Sequence, residues 1–531
     1  MTFKSISLLA ALAIPCVIPG ALSAQTPCES VKSLTLPNVT FTAVESKPAG
    51  PFIAPAPAGR GGAPAAPPAG AAEAGRGGGR GGGRGGAPAA PPLMLKPYCR
   101  VAMTLAPSSD SHIEMELWLP DSADWNGKFQ AVGNGGWAGV ISFPAMAQAL
   151  KEGYATASND TGHTGGDPVF GLNHPEKLVD FAYRANHEMT VQSKAIVNSY
   201  YGKASKLNYW NGCSTGGRQG LMEAQKFPAD FDAVIAGAPA NWQTHLHAWD
   251  MNVATTALKN PNMFMTPGKL ATLNKAVLAQ CDALDGVKDG LLNDPRKCRF
   301  DPGVLLCKGA DSDSCLTADQ VAGAKLVYAA AKKKNGEFIF PGKEPGSELV
   351  WTQLNPVKAP ASLILGTFQI ATYQNANWDW QDYDLDRDVV AADEKFGYVN
   401  APWDLSAFKS RGGKLLLYHG WNDTAISPEN TINYYQNVLQ KMGPKQDSWM
   451  RLYMVPGMNH CQGGVGPDQF NKMAVVERWR EGNTAPDQIV ASHVSGGTID
   501  MTRPLCPYPQ VATYKGVGST NDAASFTCKN P

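Results

Sequence analysis

Residues 209–220, "YWNGCSTGGRQG", carry the strongest local signal for a fold in this sequence. A run of strand character, "KLNYWNG", leads to Ser214, and "GRQGLMEAQKF" after it has the composition of a helix. Gly212 and Gly216 flank the serine in the order G-x-S-x-G, a pattern that is specific only between a strand and a helix. In that setting the glycines allow a sharp turn that lifts the serine hydroxyl above a sheet. The stretch therefore predicts a nucleophile elbow, with an ordinary turn as the alternative.

Strands and helices are predicted to alternate along the rest of the chain. "HIEMELWLP" (112–120) has the alternation of a strand, and "LVDFAYRANHEMTVQSKAIVNSYYG" (178–202) has helical spacing and ends in glycine. "FDAVIAG" (231–237), "KLLLYHG" (414–420) and "RLYMVPG" (451–457) are apolar runs of strand length. This order predicts an α/β fold with a sheet covered by helices on both faces.

A nucleophilic serine requires a base and an acid that orients the base. In sheets with such an elbow the chain order is serine, then acid, then histidine. Asp423 and His460 each follow a late predicted strand, so we predict a triad of Ser214, Asp423 and His460. His419 lies nearer its strand and is expected to pack or to donate a hydrogen bond. His163 is the rival base, but it precedes the serine and falls outside the expected order.

The charge balance and the N-terminus indicate an exported protein without nucleic-acid or membrane partners. The 531 residues contain 46 Lys plus Arg and 46 Asp plus Glu, which favours neither nucleic acid nor an anionic surface. Residues 1–24 have Lys4, an apolar run over 6–18 and the small residues "ALSA", as a cleavable signal peptide does. The run is too short to span a bilayer. Lipidation at Cys16 is the alternative, which Pro15 disfavours.

Removal of the signal peptide leaves an even number of cysteines. In an exported chain this predicts five disulfides, whose connectivity cannot be read from spacing alone. No C-x-x-C pair is present, so neither a zinc site nor a thioredoxin-like motif is predicted. The protein is expected to be secreted or periplasmic. The ten cysteines are Cys28, Cys99, Cys213, Cys281, Cys298, Cys307, Cys315, Cys461, Cys506 and Cys528.

Residues 47–92 interrupt the globular composition. Most of this segment consists of Pro, Gly, Ala and Arg, which cannot bury enough apolar surface to offset the entropy of ordering. We therefore predict a disordered, solvated insertion. Its spaced arginines (60, 76, 80 and 84) offer the alternative of contact with an anionic polymer.

Two adjacent pairs carry a resemblance to a known family. Cys213 precedes Ser214, Cys461 follows His460, and Asp423 lies between the pairs. This arrangement resembles the tannase and feruloyl esterase family of α/β-hydrolases, which also includes a hydrolase of mono(2-hydroxyethyl) terephthalate. The resemblance implies a disulfide that joins the cysteine before the nucleophile to the cysteine after the base. Such a tie would restrict the drift of the base from the serine.

The resemblance extends from about Cys28 to Cys528, with the insertion as an interruption. It implies an α/β-hydrolase core, no organic cofactor and a set of five disulfides. The implied pairs are Cys213–Cys461, Cys28–Cys99, Cys281–Cys298, Cys307–Cys315 and Cys506–Cys528.

An oxyanion hole must accompany the triad. The backbone N–H of Thr215, which follows the nucleophile, is one expected donor. The second is expected from "VGNGGWAG" (132–139), where Gly135 or Gly136 lets the backbone approach the substrate. The alternative reading of that segment is a tight turn with an exposed tryptophan.

The spacing between the serine and the acid predicts an inserted lid. Ser214 and Asp423 are 209 positions apart, which exceeds what one βα unit needs. We predict a hydrolase core formed by residues 25–244 and 401–531, and a lid formed by 245–400. A lid excludes water and shapes the acyl pocket.

A calcium site is predicted within the lid. Asp282, Asp285 and Asp289 lie in a short glycine-bent loop, where their carboxylates repel one another unless a hard cation lies among them. The spacing is not that of an EF-hand. The family resemblance implies Ca²⁺ held by these aspartates and by the backbone carbonyls of Val287 and Leu291, in a structural role. A pair of exposed Asp-Gly turns is the alternative.

The sequence thus leads to the expectation of a secreted serine esterase. The resemblance implies small aromatic ester substrates, with acyl groups such as gallate, ferulate or a related phenolic acid. An esterase for terephthalate-type monoesters is the alternative within enzymes, and a catalytically silent surface-binding protein is the alternative outside them. The sequence does not specify the oligomeric state.

Overall fold

The computed structural model describes residues 25–54, 92–137, 139–355 and 357–531. The predicted signal peptide and most of the predicted insertion lie outside these ranges. Within them the chain forms the strands β1 (Val39–Lys47), β2 (Gly50–Pro51), β3 (Met94–Leu95), β4 (Tyr98–Leu105), β5 (Ile113–Pro120), β6 (Lys128–Val132), β7 (Ala155–Asn159), β8 (Leu207–Cys213), β9 (Ala233–Gly237), β10 (Ala331–Lys332), β11 (Phe338–Phe340), β12 (Lys414–Gly420), β13 (Met450–Val455), β14 (Ile489–Ser495), β15 (Thr498–Leu505), β16 (Val511–Tyr514) and β17 (Phe526–Lys529).

The α-helices of the same ranges are α1 (Phe143–Lys151), α2 (Pro175–Val179), α3 (Ala185–Tyr201), α4 (Thr215–Lys226), α5 (Gln243–Lys259), α6 (Pro267–Cys281), α7 (Ala318–Tyr328), α8 (Ser362–Leu365), α9 (Leu385–Phe396), α10 (Ser406–Ser410), α11 (Pro428–Met442) and α12 (Lys472–Gly482). A π-helical turn over Asp180–Arg184 joins α2 to α3. Pro175 begins α2, and Gly202, with φ +65°, follows the last residue of α3 and ends that helix. None of the described helices combines the length and the apolar character that crossing a bilayer requires.

A nine-stranded sheet forms the centre of the molecule, in the order β1-β4-β5-β7-β6-β8-β9-β12-β13. The pairs from β1 to β7 are antiparallel, and every pair from β7 to β13 is parallel. The parallel half contains the predicted strands on both sides of the serine and before the acid and base. Strands β9 and β12 are buried along their whole length, as parallel strands are when helices cover both faces.

Alternate residues of the central strands enter two hydrophobic cores. Val234 of β9 packs in one core with residues of α3, α4 and α11, such as Val438. Its neighbour Ile235 packs in the other with residues of α12, such as Trp479. Because side chains alternate across a strand, the helices must cover opposite faces of the sheet. The α/β fold predicted from the sequence is confirmed.

The chain between β9 and β12 forms a long segment outside the central sheet, and β12 then pairs with β9. Its helices form a separate hydrophobic cluster with members such as Trp249, Leu273 and Phe368. The first of these helices, α5, begins at Gln243, two residues before the predicted boundary at 245. The action of this segment as a lid belongs to the proposal below.

All five disulfides implied by the resemblance are formed. Cys213–Cys461 has the largest sequence separation, 248 residues, and it joins the end of β8 to the loop after β13. The others are Cys28–Cys99, Cys281–Cys298, Cys307–Cys315 and Cys506–Cys528.

The ends of the predicted insertion 47–92 have regular structure. Strand β1 continues to Lys47, Gly50–Pro51 pairs with Met94–Leu95, and the N–H of Phe52 donates to the carbonyl of Leu93 at 2.7 Å. Regular backbone pairing therefore extends further into residues 47–92 than the composition predicted, because backbone hydrogen bonds do not require apolar side chains.

Candidate active site

Ser214 lies at the junction of β8 and α4 with φ +63° and ψ −126°. This conformation is strained for a residue other than glycine and persists only where surrounding contacts hold it. The Ser214 N–H donates to the Gly237 carbonyl, and the Ser214 carbonyl accepts from the Ala240 N–H, each at 3.0 Å. A Cβ on Gly212 would lie 2.3 Å from the carbonyl oxygen of Gly216, so only glycine fits there. Residues 209–220 thus form the predicted sequence of strand, turn and helix.

Asp423 follows β12 and is fully buried. Its Oδ2 accepts from His460 Nδ1 at 2.6 Å, and its Oδ1 accepts from the backbone N–H groups of Ala425 (2.8 Å) and Ile426 (2.9 Å). Burial alone would raise the pKa of this carboxyl, but the imidazole of His460 and the hydrogen bond from His419 hold it well below its usual range. Asp423 is therefore ionised and fixed in orientation.

His460 lies in the loop after β13, with 18% of its side chain exposed. Its Nδ1–H points at Asp423, which leaves Nε2 as the basic nitrogen. Among the described residues this Nε2 has no hydrogen-bond partner. An imidazole with one nitrogen held by a carboxylate and the other free can accept a proton from a nearby hydroxyl.

The disulfide Cys213–Cys461 joins the serine loop to the histidine loop. Its Cα atoms are 6.0 Å apart, and consecutive Cα atoms are separated by about 3.8 Å, so Ser214 and His460 have Cα atoms at most ~14 Å apart. Within the described part of the chain, Ser214 Oγ makes no direct hydrogen bond to His460. The disulfide between their cysteine neighbours keeps the two residues within this distance.

The two other candidate histidines have different partners. His163 is buried, stacks on Phe170, and has its ring nitrogens directed at the Trp137 carbonyl and at Thr161 Oγ1. Burial lowers the pKa of His163 to about 4, so the ring is neutral at neutral pH. His419 contacts Thr431 Oγ1 at 2.7 Å and Asp423 at 2.9 Å. Neither has a free ring nitrogen, and the prediction of a hydrogen-bonding role for His419 agrees with its contacts.

The predicted oxyanion donors lie in two segments that contact each other. Thr215 is the first residue of α4, and its Oγ1 donates to the Gly136 carbonyl at 2.8 Å. In the residues that the structure describes, no acceptor is present for the backbone N–H groups of Thr215, Gly135 and Gly136. Gly136 has φ +57°, and a Cβ there would lie 3.6 Å from Leu363 of the inserted segment. These N–H groups are thus available to a substrate oxygen.

Two buried amides that were not predicted as site residues, Asn134 and Gln219, link these segments. Gln219 Oε1 accepts from the Asn134 N–H, and Gln219 Nε2 donates to Asn134 Oδ1. The available signal was an amide residue directly before the paired glycines of "NGGW", together with a polar side chain inside the helix after the serine.

The predicted calcium loop presents oxygen atoms from all three aspartates. Asp282 accepts from the N–H of Gly290, Asp285 accepts from the N–H of Val287 at 3.1 Å, and Asp289 pairs with Arg503 at 2.7 Å. Burial, with smaller contributions from the charges of Asp289 and Asp282, raises the pKa of Asp285 to about 6.

The contributions of Asp289 and Asp282 to this pKa reflect repulsion among the three carboxylates, which a hard cation would offset. Carboxylate and carbonyl oxygens are the donors that Ca²⁺ requires, so the types of donor fit the ion, but the three carboxylates do not all lie within 4.8 Å of one another in the structure. The pairing of Asp289 with Arg503, 214 residues away, was not predicted.

Two groups of His, Cys, Asp or Glu side chains whose ligand atoms do lie within 4.8 Å of one another occur in the described ranges. One contains Cys307 and Cys315, which form a disulfide and so offer no thiolate. The other contains His187, Glu223 and Asp230, but His187 Nδ1 already bonds Asp230 at 2.6 Å and the ammonium of Lys194 lies 3.6 Å from Asp230. We assign no metal to either group.

Known proteins that are similar in sequence to this chain are named as esterases. A family profile described as "Tannase and feruloyl esterase" matches residues 99–529. An uncharacterized esterase of Xanthomonas campestris is 34% identical, over 95% of this chain and 92% of its own length. A probable feruloyl esterase B-1 of Aspergillus oryzae is 35% identical, over 81% and 84%.

Solved structures show the same similarity in three dimensions. The crystal structure of feruloyl esterase B from Aspergillus oryzae has a TM-score of 0.83 at 31% identity, covering 94% of this chain and 99% of that one. Tannin acyl hydrolase from Aspergillus niger has a TM-score of 0.74 at 21% identity and covers 95% of each chain, which shows the shared fold.

Proposed function

Since the chain belongs to the tannase and feruloyl esterase family and is a carboxylic ester hydrolase, we propose that it hydrolyses esters of phenolic carboxylic acids through an acyl-enzyme on Ser214. Gallate and ferulate represent the class of acyl group. The observation that carries the proposal is the 2.6 Å hydrogen bond between Asp423 and His460, in a loop bonded covalently to the residue before Ser214.

In the first step Ser214 Oγ attacks the ester carbonyl and His460 Nε2 takes the hydroxyl proton. The ionised Asp423 stabilises the imidazolium that forms and keeps Nδ1 as the donor to itself. The tetrahedral intermediate then collapses, and His460 returns the proton to the leaving alcohol. Water repeats the sequence on the acyl-enzyme and releases the free acid.

The oxygen of the tetrahedral intermediate is proposed to bind the N–H of Thr215 and an N–H from Gly135 or Gly136. All three donors belong to short backbone segments that are already fixed, so little reorganisation is needed when negative charge develops. The hydrogen bond from Thr215 Oγ1 to Gly136 supports this assignment, because it holds the two segments side by side.

The inserted segment, predicted as residues 245–400, is proposed to act as a lid over the acyl group. Leu363 of α8 lies next to Gly136, which with Gly135 forms what we call the glycine segment, and the Trp137 indole N–H donates to the Leu363 carbonyl at 2.8 Å. With 43% of its surface exposed, Leu363 offers an apolar contact to an aromatic ring. These contacts support a pocket shared between the core and the insertion.

Calcium is proposed to bind the acidic loop of the inserted segment in a structural role. Asp282, Asp285 and Asp289 would supply carboxylate oxygens, and Val287 and Leu291 would supply backbone carbonyls. Bound there, the ion would neutralise the loop and hold its turns together. Export to the periplasm or beyond the cell is also proposed, from the N-terminal signal sequence and the five disulfides.

The test compares methyl gallate, methyl ferulate and a terephthalate monoester as substrates of the wild type and of Ser214→Ala. We expect turnover of at least one of the two phenolic esters and its loss in the variant. Turnover of the terephthalate ester alone would replace the proposed substrate class. The absence of any esterase activity would favour the silent binding protein instead.

A further inference from the structure

We propose that Gln219 is a positioning residue for the oxyanion hole, acting on Gly135 and Gly136 through Asn134. The proposal rests on the esterase function proposed above. It assigns a role to a side chain that touches neither the substrate nor the triad.

Gln219 lies on α4, five residues after Ser214, and is completely buried. Its Oε1 accepts from the Asn134 backbone N–H at 3.1 Å, and its Nε2 donates to Asn134 Oδ1 at 3.0 Å. One amide group thus bonds both the main chain and the side chain of the same residue. Such a paired contact fixes the orientation of Asn134 as well as its distance from the helix.

Asn134 uses its remaining polar atoms to join the surrounding elements. Its Nδ2 donates to the carbonyls of Val140 and Asn159, each at 2.8 Å, and its own carbonyl accepts from the Gly216 N–H at 2.8 Å. Asn134 therefore connects the start of the glycine segment to Val140, to the end of β7 and to α4, the helix that begins after the nucleophile.

The glycine segment depends on these contacts for its position. Gly135 and Gly136 have no side chains, so contacts from neighbouring residues must fix the position of their backbone. Among the described residues, the side-chain tie to this pair is the hydrogen bond from Thr215 Oγ1 to the Gly136 carbonyl. Asn134, directly before the pair, supplies the other anchor. Through Asn134, Gln219 sets where the N–H donors point.

An amide is the side chain that suits this role. Glutamine offers one acceptor and one donor, which match the Asn134 N–H and Oδ1. A carboxylate at position 219 would oppose Oδ1 with a second acceptor. Methionine has a similar unbranched shape but would leave both Asn134 groups buried without partners.

The test measures steady-state kinetics and labelling of Ser214 by a fluorophosphonate in Gln219→Met and Gln219→Glu. A displaced donor lowers transition-state binding more than substrate binding, so we expect kcat to fall about 100-fold with KM within roughly twofold. Labelling passes through a charged oxygen in the same hole and should slow in parallel.

Gln446→Met is the matched control. Gln446 is also buried and accepts from Trp449 Nε1 at 2.6 Å and Lys409 Nζ at 2.8 Å, away from the glycine segment. We expect this control to lose thermal stability and to keep kcat. An Asn134→Ala, Gln219→Met double variant should be little worse than Asn134→Ala, because the two residues act as one unit.

The inference is overturned if either folded Gln219 variant keeps wild-type kcat, if KM rises instead, or if neither variant folds. Labelling separates this result from the proposed substrate. If the wild type labels at Ser214 but hydrolyses no phenolic ester, the substrate proposal fails and the labelling rates decide the inference. A wild type that does not label overturns both.

Discussion

Asp423 Oδ2 accepts a hydrogen bond from Nε2 of His419 at 2.9 Å, in addition to the one from His460. His419 precedes the acid by four residues and is fully buried, with its Nδ1 directed at Thr431 Oγ1. The Asp423 carboxylate is thus held by His419 of β12 as well as by His460.

We expect His419→Leu to lower kcat about tenfold and to lower Tm, because a buried acceptor loses its donor. Steady-state kinetics with His493→Leu as the control checks this. An unchanged kcat in folded His419→Leu would contradict it.

Ser214→Ala and His460→Ala should each remove nearly all turnover, and the double variant should be little worse, because nucleophile and base act as one unit. His493→Ala is the matched control, since His493 also bonds a carboxylate, Asp500, at 2.7 Å. It should keep wild-type kcat. Residual hydrolysis by purified Ser214→Ala near the wild-type rate would exclude the serine mechanism.

Replacing Cys213 and Cys461 together with alanine should reduce both stability and kcat. The bond closes a long loop, so its loss should cost roughly 3–5 kcal/mol of unfolding free energy, and the base would lose its tie to the serine loop. Cys307→Ala with Cys315→Ala is the control, because that pair is separated by only 8 residues in the inserted segment. The control should lose less stability and keep kcat. Folded Cys213/Cys461 variant with normal kcat would limit this disulfide to stability alone.

Removal of calcium by a chelator should lower the Tm of the wild type. An ion at 100 times its Kd stabilises the folded state by about 2.7 kcal/mol if it does not bind the unfolded chain. Asp282→Asn should reduce the difference between chelated and calcium-loaded protein. Asp301→Asn, at an exposed acid of the same segment, should leave that difference intact. Equal Tm values with and without calcium would remove the ion from the proposal.

His163 should make the protein sensitive to acid. Its folded-state pKa of about 4 lies below the unfolded value of 6.5, so between these pH values the unfolded state binds more protons. This contribution is complete above pH 6.5 and is lost as pH falls toward 4, by about 3 kcal/mol in all. His163→Gln should therefore lose less unfolding free energy than the wild type between pH 7 and 4. Denaturant titrations at both pH values, with His493→Gln as the control, measure the difference. Parallel losses in all three proteins would refute it.

Local pattern was sufficient to predict the parallel half of the sheet. Strand β12 covers Lys414–Gly420, the full range of the predicted run, because a fully buried strand is apolar at every position. The turn at Ser214 was predictable because its glycines are required within a few residues of the serine. The hairpin β14–β15 was not predicted, since its strands are buried at one end and exposed at the other and carry no long apolar run.

Contacts between distant segments were not predictable from the sequence. The pairing of Asp289 with Arg503 and the bonds between Asn134 and Gln219 depend on how separate elements pack. The disulfides were implied by the family resemblance, since ten cysteines alone allow many connectivities. Chain order indicated the acid and the base, but not that His419 also holds Asp423.

The short ladder of Gly50–Pro51 with Met94–Leu95 brings two distant points of the chain side by side at the surface. The N–H of Phe52 continues this pairing to Leu93, so the exit and the return of the backbone are adjacent. A connection of almost any length can bridge such a gap, and each doubling costs only about 0.6 kcal/mol. The molecule therefore has an insertion site at this pairing, where a guest domain or affinity tag can be added without altering the register of the sheet.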